Sequence, residues 1–446
     1  MVRALTLSTA LLITVSALLV LIPAAGFTLS EASEVLGGFA VNNAEVPGEF
    51  VVRRGEENPV FHSNELFRAY EDFYSPRVKQ LRKRYSLDEV VAGEADEFRR
   101  IMLLRHWIHS TMPIDDYDYT STRMDPFAIL DAAKAGGKFN CSHFSVVQHA
   151  VLNSFGYITR CLGVGPGGTG PEGEQEGVSE GLDGHHAVNE VWVNKFNKWV
   201  LVDAKYDLHF QKKGIPLSAI EIRDEVWRNG AVDVVPAFGL ECKPAVPQIN
   251  DRDWGIWATP QVYRWCSWET STNRFTSFPA ALSSTLVMYD DEIFREHIWY
   301  RDGKPHWAYD TPYLITTTQR DWIYWTPNVI SSQVAIRGQN NQDTQDDQDA
   351  QNNQHDQNNQ HDQNNQDDQN NQDDQDYRVH IFLLSFTPNF ETFQVKIAEG
   401  DWRDCDESLD LPLQKQLNRF VFRTVNLFGV TGPEHRVEIE WKELEP

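Results

Sequence analysis

The apolar positions of this chain follow two rhythms. Early on, the spacing is helical. Residues 65–85 are charged with a helical pattern, and 96–111 places Phe98, Ile101, Met102, Leu104, Trp107 and Ile108 at three- and four-residue steps, which predicts an amphipathic helix. Residues 125–135 predict a short helix, with Asp125 as cap, Pro126 in the first turn and Gly136-Gly137 as the stop. Residues 141–155 are helical again: Phe144, Val147, Val151 and Phe155 share a face, and Gly156 ends the run. The period then changes. Residues 158–164, 186–193 and 198–202 read as strands, the last two joined by a tight turn at 194–197. Helices followed by an antiparallel sheet predict an α+β layout. Residues 27–58 are weakly patterned and expected to form an irregular lead-in.

Further along, residues 254–325 hold eight tryptophans, including Trp265 and Trp268. Such rings can stack sugars or clamp a polypeptide, but the expectation is that they pack a connecting β region against the first domain. Short strands then recur at 332–336, 378–385, 392–397, 409–413, 419–426 and 436–441, with turns such as Thr431-Gly432-Pro433, and predict a β-sandwich. Between the first two of these lies 339–376, a degenerate Asn/Gln/Asp repeat whose one apolar residue is Ala350. A segment this polar cannot offset its ordering entropy and is expected to be a disordered loop insertion. The Gly-rich, acidic stretch 165–184 is likewise expected to be a mobile loop.

At 446 residues the chain suggests two or three domains. Its net charge of −25 argues against nucleic acid as a partner, because phosphate-backbone binding needs a basic footprint. Eleven aspartates of the repeat account for part of that charge, and −14 remains on the rest. The N-terminus has one arginine, Arg3, then an apolar centre over 10–23 and small residues Ala24, Ala25 and Gly26. That is the form of a secretory signal peptide over 1–26, with an uncleaved anchor as the alternative. The expected location is therefore outside the cell or in its envelope, with no stable membrane insertion after cleavage. If Cys141 stays a thiol, Cys161, Cys242, Cys266 and Cys405 allow two disulfides in three pairings, or remain as buried thiols.

The chemistry is concentrated in residues 137–207. Gly-Lys-Phe-Asn-Cys-Ser-His-Phe sets Cys141 at a helix start, where free N–H groups and the helix dipole favour a thiolate and can hold an oxyanion. His-His-Ala-Val-Asn-Glu-Val-Trp-Val (185–193) opens a strand with histidine, and Lys-Trp-Val-Leu-Val-Asp-Ala-Lys-Tyr-Asp (198–207) closes its neighbour with aspartate. On paired strands the two side chains can meet, the carboxylate fixing the tautomer of an imidazole that serves the thiol. His106 and His109 lie three apart on a helix but lack a third ligand, so no metal or cofactor is expected. Asn140-Cys-Ser is a formal glycosylation sequon, read as chance because a glycan there would block Cys141.

Together these elements resemble the transglutaminase-like cysteine-protease superfamily, with its Cys leading a helix, His-Ala-x-x-Glu-Val strand and Trp-x-x-x-Asp strand. The likeness covers roughly 99–207, including Asp-Pro-Phe-Ala-Ile-Leu (125–130) and Gly-Tyr-Ile-Thr-Arg (156–160). It implies Cys141 as nucleophile, His186 as base and acid, and Asp203 as the orienting carboxylate. His185 is a neighbour in the turn, and Asp207 an alternative acid if Asp203 points away. Asn140 departs from the small residue usual before the cysteine. No oxyanion side chain maps clearly; Trp107 is a candidate, with a core role preferred. Trp199 and Glu190 are expected to be structural. The expected fold class is a transglutaminase-like α+β domain over 27–235, an aromatic-rich connecting β region over 236–325 and an Ig-like β-sandwich over 326–446 interrupted by the repeat. The expected function is thioester-forming hydrolysis of polypeptide amides. A cross-linking acyltransferase and a non-catalytic binding or assembly module are the alternatives. Self-cross-linking through the glutamines of the repeat ranks below simple repeat expansion. The expected partner is a polypeptide substrate, with a cell-surface polymer as a further candidate.

Overall fold

The computed structural model describes residues 49–54, 57–61, 75–166, 186–244, 258–270, 285–297, 300–301, 304–305, 314–337 and 377–442. The expected signal segment, His185, most of the Gly-rich stretch, the repeat, and Trp254, Trp257, Trp299 and Trp307 lie outside them.

The helices of the first layer form largely where the apolar spacing predicts them, some with a side-chain cap; residues 65–74 of the helix expected over 65–85 lie outside the described residues. These helices are α1 (Pro76–Arg84), the single turn α2 (Leu87–Val90), α3 (Glu97–Thr111), α4 (Pro126–Lys134) and α5 (Cys141–Asn153). Asp96 caps α3 by accepting from the Arg99 N–H at 2.9 Å, and Asp125 caps α4 by accepting from Phe127 and Ala128. Each cap satisfies first-turn N–H groups that have no intrahelical partner. The apolar faces of α3, α4 and α5 enclose Ile101, Leu104, Ile108, Ile129, Phe144 and Val147 in one core with Val191, Val193, Val200 and Val202 of a sheet.

That sheet runs β12-β9-β8-β2-β3-β4, built from β2 (Thr159–Gly165), β3 (His186–Val193), β4 (Lys198–Val202), β8 (Trp265–Glu269), β9 (Leu286–Tyr289) and β12 (Leu314–Thr317). All its pairs are antiparallel except β9 with β12. The aromatic-rich stretch read as a connecting region thus supplies three strands to the sheet that carries His186. Trp268 is buried with Val188, Trp192, Trp199 and Leu201 in a second core, which also takes Ile220 and Ile222. At the β2–β8 contact Gly165 stands opposite Trp265. A Cβ on Gly165 would lie 2.5 Å from the indole, so only glycine admits the ring there.

Ile220 and Ile222 lie on α6 (Ala219–Asn229), a helix the apolar spacing did not single out. Its signal was a capping box: Ser218 accepts from the Glu221 N–H, and Glu221 accepts from the Ser218 N–H. A small sheet, β6-β5-β7 (Ile215–Pro216, Leu208–Lys212, Val235–Phe238), lies beside it in sequence. A two-residue hairpin (β10, Tyr300–Arg301; β11, Lys304–Pro305) and two short helices (α7, Glu292–His297; α8, Arg320–Ile323) complete this part of the chain.

The C-terminal strands make two sheets. One runs β1-β19-β18-β15-β16 and the other β13-β14-β17. Their ranges are β13 (Ile330–Arg337), β14 (Arg378–Ser385), β15 (Phe390–Ile397), β16 (Arg403–Cys405), β17 (Ser408–Pro412), β18 (Leu417–Asn426) and β19 (His435–Lys442). Val379, Ile381, Phe393, Val395, Phe422 and Ile439 share one core drawn from both sheets. β13 and β14 pair antiparallel with Arg337 opposite Arg378, so the strands flanking the repeat are neighbours. β1 (Glu49–Arg54) corrects the described end of the irregular lead-in expected over 27–58, whose residues 27–48 lie outside the described residues: it pairs antiparallel along β19. Its alternation was too short to read, because the partner that stabilises it lies almost four hundred residues away.

One buried carboxylate joins these parts. Glu97, at the start of α3, accepts from Asn194 Nδ2 (2.7 Å), the Lys195 N–H (2.7 Å) and Asn426 Nδ2 (3.4 Å) of β18. Burial raises its pKa despite those donors.

Candidate active site

The chain entering Cys141 is held from the side. The Phe139 N–H donates to Pro113 O at 2.9 Å, the Asp115 N–H to Phe139 O at 3.1 Å, and the Thr120 N–H to Lys138 O at 2.8 Å. Phe139 is fully buried. Asn140 then takes the extended N-cap conformation, but its side chain makes no cap bond. Asn140 Oδ1 instead meets His143 Nδ1 at 2.7 Å. The first-turn N–H groups of α5 are therefore left without a side-chain cap, at the positive end of a helix dipole. Cys141 sits in that first turn and is partly exposed.

β3 and β4 bring the histidine and the aspartate together. Asn189 stands opposite Val202, and the next residues outward lead to His186 on one strand and Asp203 past the end of the other. His186 Nε2 lies 2.7 Å from Asp203 Oδ2, and both residues are buried. Asp203 Oδ1 accepts from the Lys205 (2.8 Å) and Tyr206 (3.2 Å) N–H groups. A two-way backbone bridge to Leu208 closes this turn. The carboxylate is thus fixed by donors that do not titrate.

The thiol and the imidazole are coupled. Burial pushes the Cys141 pKa up, but the hydrogen bond and charge of His186, the charge of Lys205 and the Ala187 N–H outweigh it, so the thiol lies below its ordinary range. Burial pushes His186 down. The charge and hydrogen bond of Asp203, then those of Cys141, raise it to about 9. Both directions favour a thiolate–imidazolium pair at neutral pH.

The structure brings Cys141, His186 and Asp203 into one connected group. Asp207 is elsewhere: its oxygens meet Arg105 Nε at 2.8 Å and His106 Nδ1 at 2.6 Å. His109 Nδ1 bonds the Lys205 carbonyl at 2.9 Å. Among the described residues no group of His, Cys, Asp or Glu is placed to hold a metal ion. Trp107 packs against the helical core, its ring 6.3 Å from that of Tyr85. Glu190 and Trp199 belong to a buried cluster with Arg160. All five cysteines are free thiols, so of the two outcomes the sequence left open for Cys161, Cys242, Cys266 and Cys405 the structure has the thiols.

Three residues near the pair escaped the sequence reading. The Tyr206 ring lies 5.2 Å from that of His186. Lys205 is buried and its Nζ is bound to Asp116 at 2.6 Å. Lys205 and Tyr206 lay inside the motif already quoted; a lysine two residues past a buried aspartate was the available signal. Nothing marked Asp116, which reaches the site from the segment after α3.

Residues 85–204 match the family model of the transglutaminase-like superfamily, a span that contains Cys141, His186 and Asp203. No curated protein matches the chain. The chain carries a transglutaminase-like domain.

Proposed function

We propose that this protein is a cysteine enzyme that attacks amide carbonyls through Cys141, His186 and Asp203. The observation that carries the reading is the 2.7 Å His186–Asp203 hydrogen bond beside a thiol that His186 draws below its ordinary range, set at a helix N-terminus without a side-chain cap. The Cys141 thiolate adds to the carbonyl carbon, and first-turn N–H groups of α5 face the oxyanion that forms. His186 gives its proton to the departing nitrogen as the C–N bond breaks, which leaves a thioester and a free amine or ammonia. The neutral imidazole then takes a proton from the second nucleophile, whose oxygen or nitrogen bonds the acyl carbon as the thiolate leaves. Asp203 keeps the ring in one tautomer throughout.

Water is the favoured second nucleophile, because Cys141 is partly exposed and a dedicated transferase must exclude solvent. Peptide bonds or side-chain carboxamides of polypeptides are the proposed substrates. The apolar N-terminal stretch supports export, and the C-terminal sheets, read as an Ig-like sandwich, are suited to holding substrate or a surface polymer.

The test is to incubate the exported chain and its Cys141→Ala variant with peptide amides, with and without a primary amine, and to follow products by mass spectrometry. Cys141-dependent acid products are expected. Amide products that form only with added amine would assign a transferase, and no turnover of any amide would sink the enzyme reading.

A further inference from the structure

Two residues beyond Asp203 a lysine is folded inward. Lys205 is 2% exposed, and its Nζ lies 2.8 and 2.6 Å from the oxygens of Asp116. Burying an ammonium carries a desolvation penalty that a surface lysine avoids. The pair is also asymmetric. The Asp116 side chain is 30% exposed, whereas that of Lys205 is 2% exposed. The main chain of Lys205 is pinned on both sides: its N–H donates to Asp203 Oδ1, and its carbonyl accepts from His109 of α3. Its Nζ lies 4.9 Å from the Tyr206 ring, which in turn lies 5.2 Å from the His186 ring. The charged and titratable groups around this cation include Asp116 from the segment after α3, His109 from α3, Asp203 and Tyr206 from its own turn, and, through its charge, Cys141. Among them Lys205 acts on Cys141 in the same direction as His186, favouring the thiolate.

We propose that Lys205, held inward by Asp116, is a positioning residue for the Cys141–His186 pair: its backbone fixes the Asp203 carboxylate and its ammonium supplies a fixed positive charge to the thiolate. The proposal rests on the cysteine-enzyme reading above. It differs from a purely structural role for the lysine, because a lysine that only packed and paired with Asp116 would leave the acid–base behaviour of the thiol unchanged.

The experiment is peptide-resolved alkylation of Cys141 by iodoacetamide across pH, on the full chain. The variants are His186→Ala, Lys205→Met, Lys205→Arg and the double variant Asp116→Asn/Lys205→Met. Lys205→Met is expected to raise the alkylation midpoint by about one pH unit, so that labelling below both midpoints slows about tenfold. Lys205→Arg keeps the charge and is expected to restore the wild-type midpoint. If circular dichroism shows that Lys205→Met is unfolded, the double variant removes the stranded carboxylate as well and is expected to give a smaller rise, because the more exposed Asp116 offsets only part of the lysine's charge. An unchanged midpoint in Lys205→Met or the double variant, with His186→Ala still shifted, overturns this proposal and leaves the enzyme reading standing. Wild-type Cys141 that labels like a free thiol overturns both.

Discussion

Two buried ionic clusters share the central sheet and are built to opposite ends. In one, Glu190 of β3 accepts from Arg160 Nε (2.9 Å) and Nη2 (2.6 Å), Trp268 Nε1 (2.9 Å), Tyr324 Oη (2.8 Å) and the Ala219 N–H (2.7 Å) at the start of α6. Arg160 also bonds the Ile323 carbonyl and stacks 4.1 Å over Trp199. Its acid is saturated by fixed donors from four parts of the chain, so the cluster specifies packing. In the other, Asp203 is nearly as buried and well held, but it pairs with an imidazole that interacts with the thiol of Cys141, a residue only partly covered. A buried carboxylate becomes chemically useful when one of its partners can itself exchange a proton and reach solvent.

Substitutions can separate these roles. Cys141→Ser should abolish turnover of any amide substrate, by at least about 10³-fold, while leaving the unfolding transition in place. Asp203→Asn should cost about 10²–10⁴ in kcat, read from steady-state kinetics, because the imidazolium loses its counter-charge. Glu190→Ala should do the reverse: it strands a buried Arg160 and should lower stability by about 3–5 kcal/mol in denaturant titration, with Cys141 alkylation of the folded fraction unchanged. Alkylation that followed Glu190→Ala would mean that the two clusters are coupled. Gly165→Ala should cost about 1–3 kcal/mol by forcing the Trp265 ring aside, again in denaturant titration.

A further expected effect is on pH dependence. His186 is raised above its ordinary value near 6.5, so its charged form stabilises the fold fully below that pH. The contribution fades as pH rises through about 9. Melting temperature should therefore fall across that window in wild type and fall less in His186→Ala. An identical fall in both would remove the imidazolium from the stability of the fold.

Much of the helical layer was legible because its signals are local. Asp96 and Asp125 announce their helices as caps, and apolar spacing marks the faces that become the core. The Cys-His-Asp group was legible for a similar reason: β3 and β4 are sequence neighbours, so one tight turn brings His186 and Asp203 together. What escaped depends on distance along the chain. β1 exists only against β19, and β8 joins β2 across a hundred residues. Asp116 meets Lys205 over 89 positions, with no periodicity to predict it. The fate of Asp207 was likewise decided from α3, by Arg105 and His106.

The β13–β14 pairing makes the sheet tolerant of the length of chain between its two strands. Arg337 and Arg378 stand opposite each other at the ends of two zipped strands, so the sheet fixes both ends of whatever connects them. Each doubling of that connection adds only about 0.6 kcal/mol of closure cost. Tandem codons gained or lost there by replication slippage alter neither the register of the hairpin nor the core beneath it.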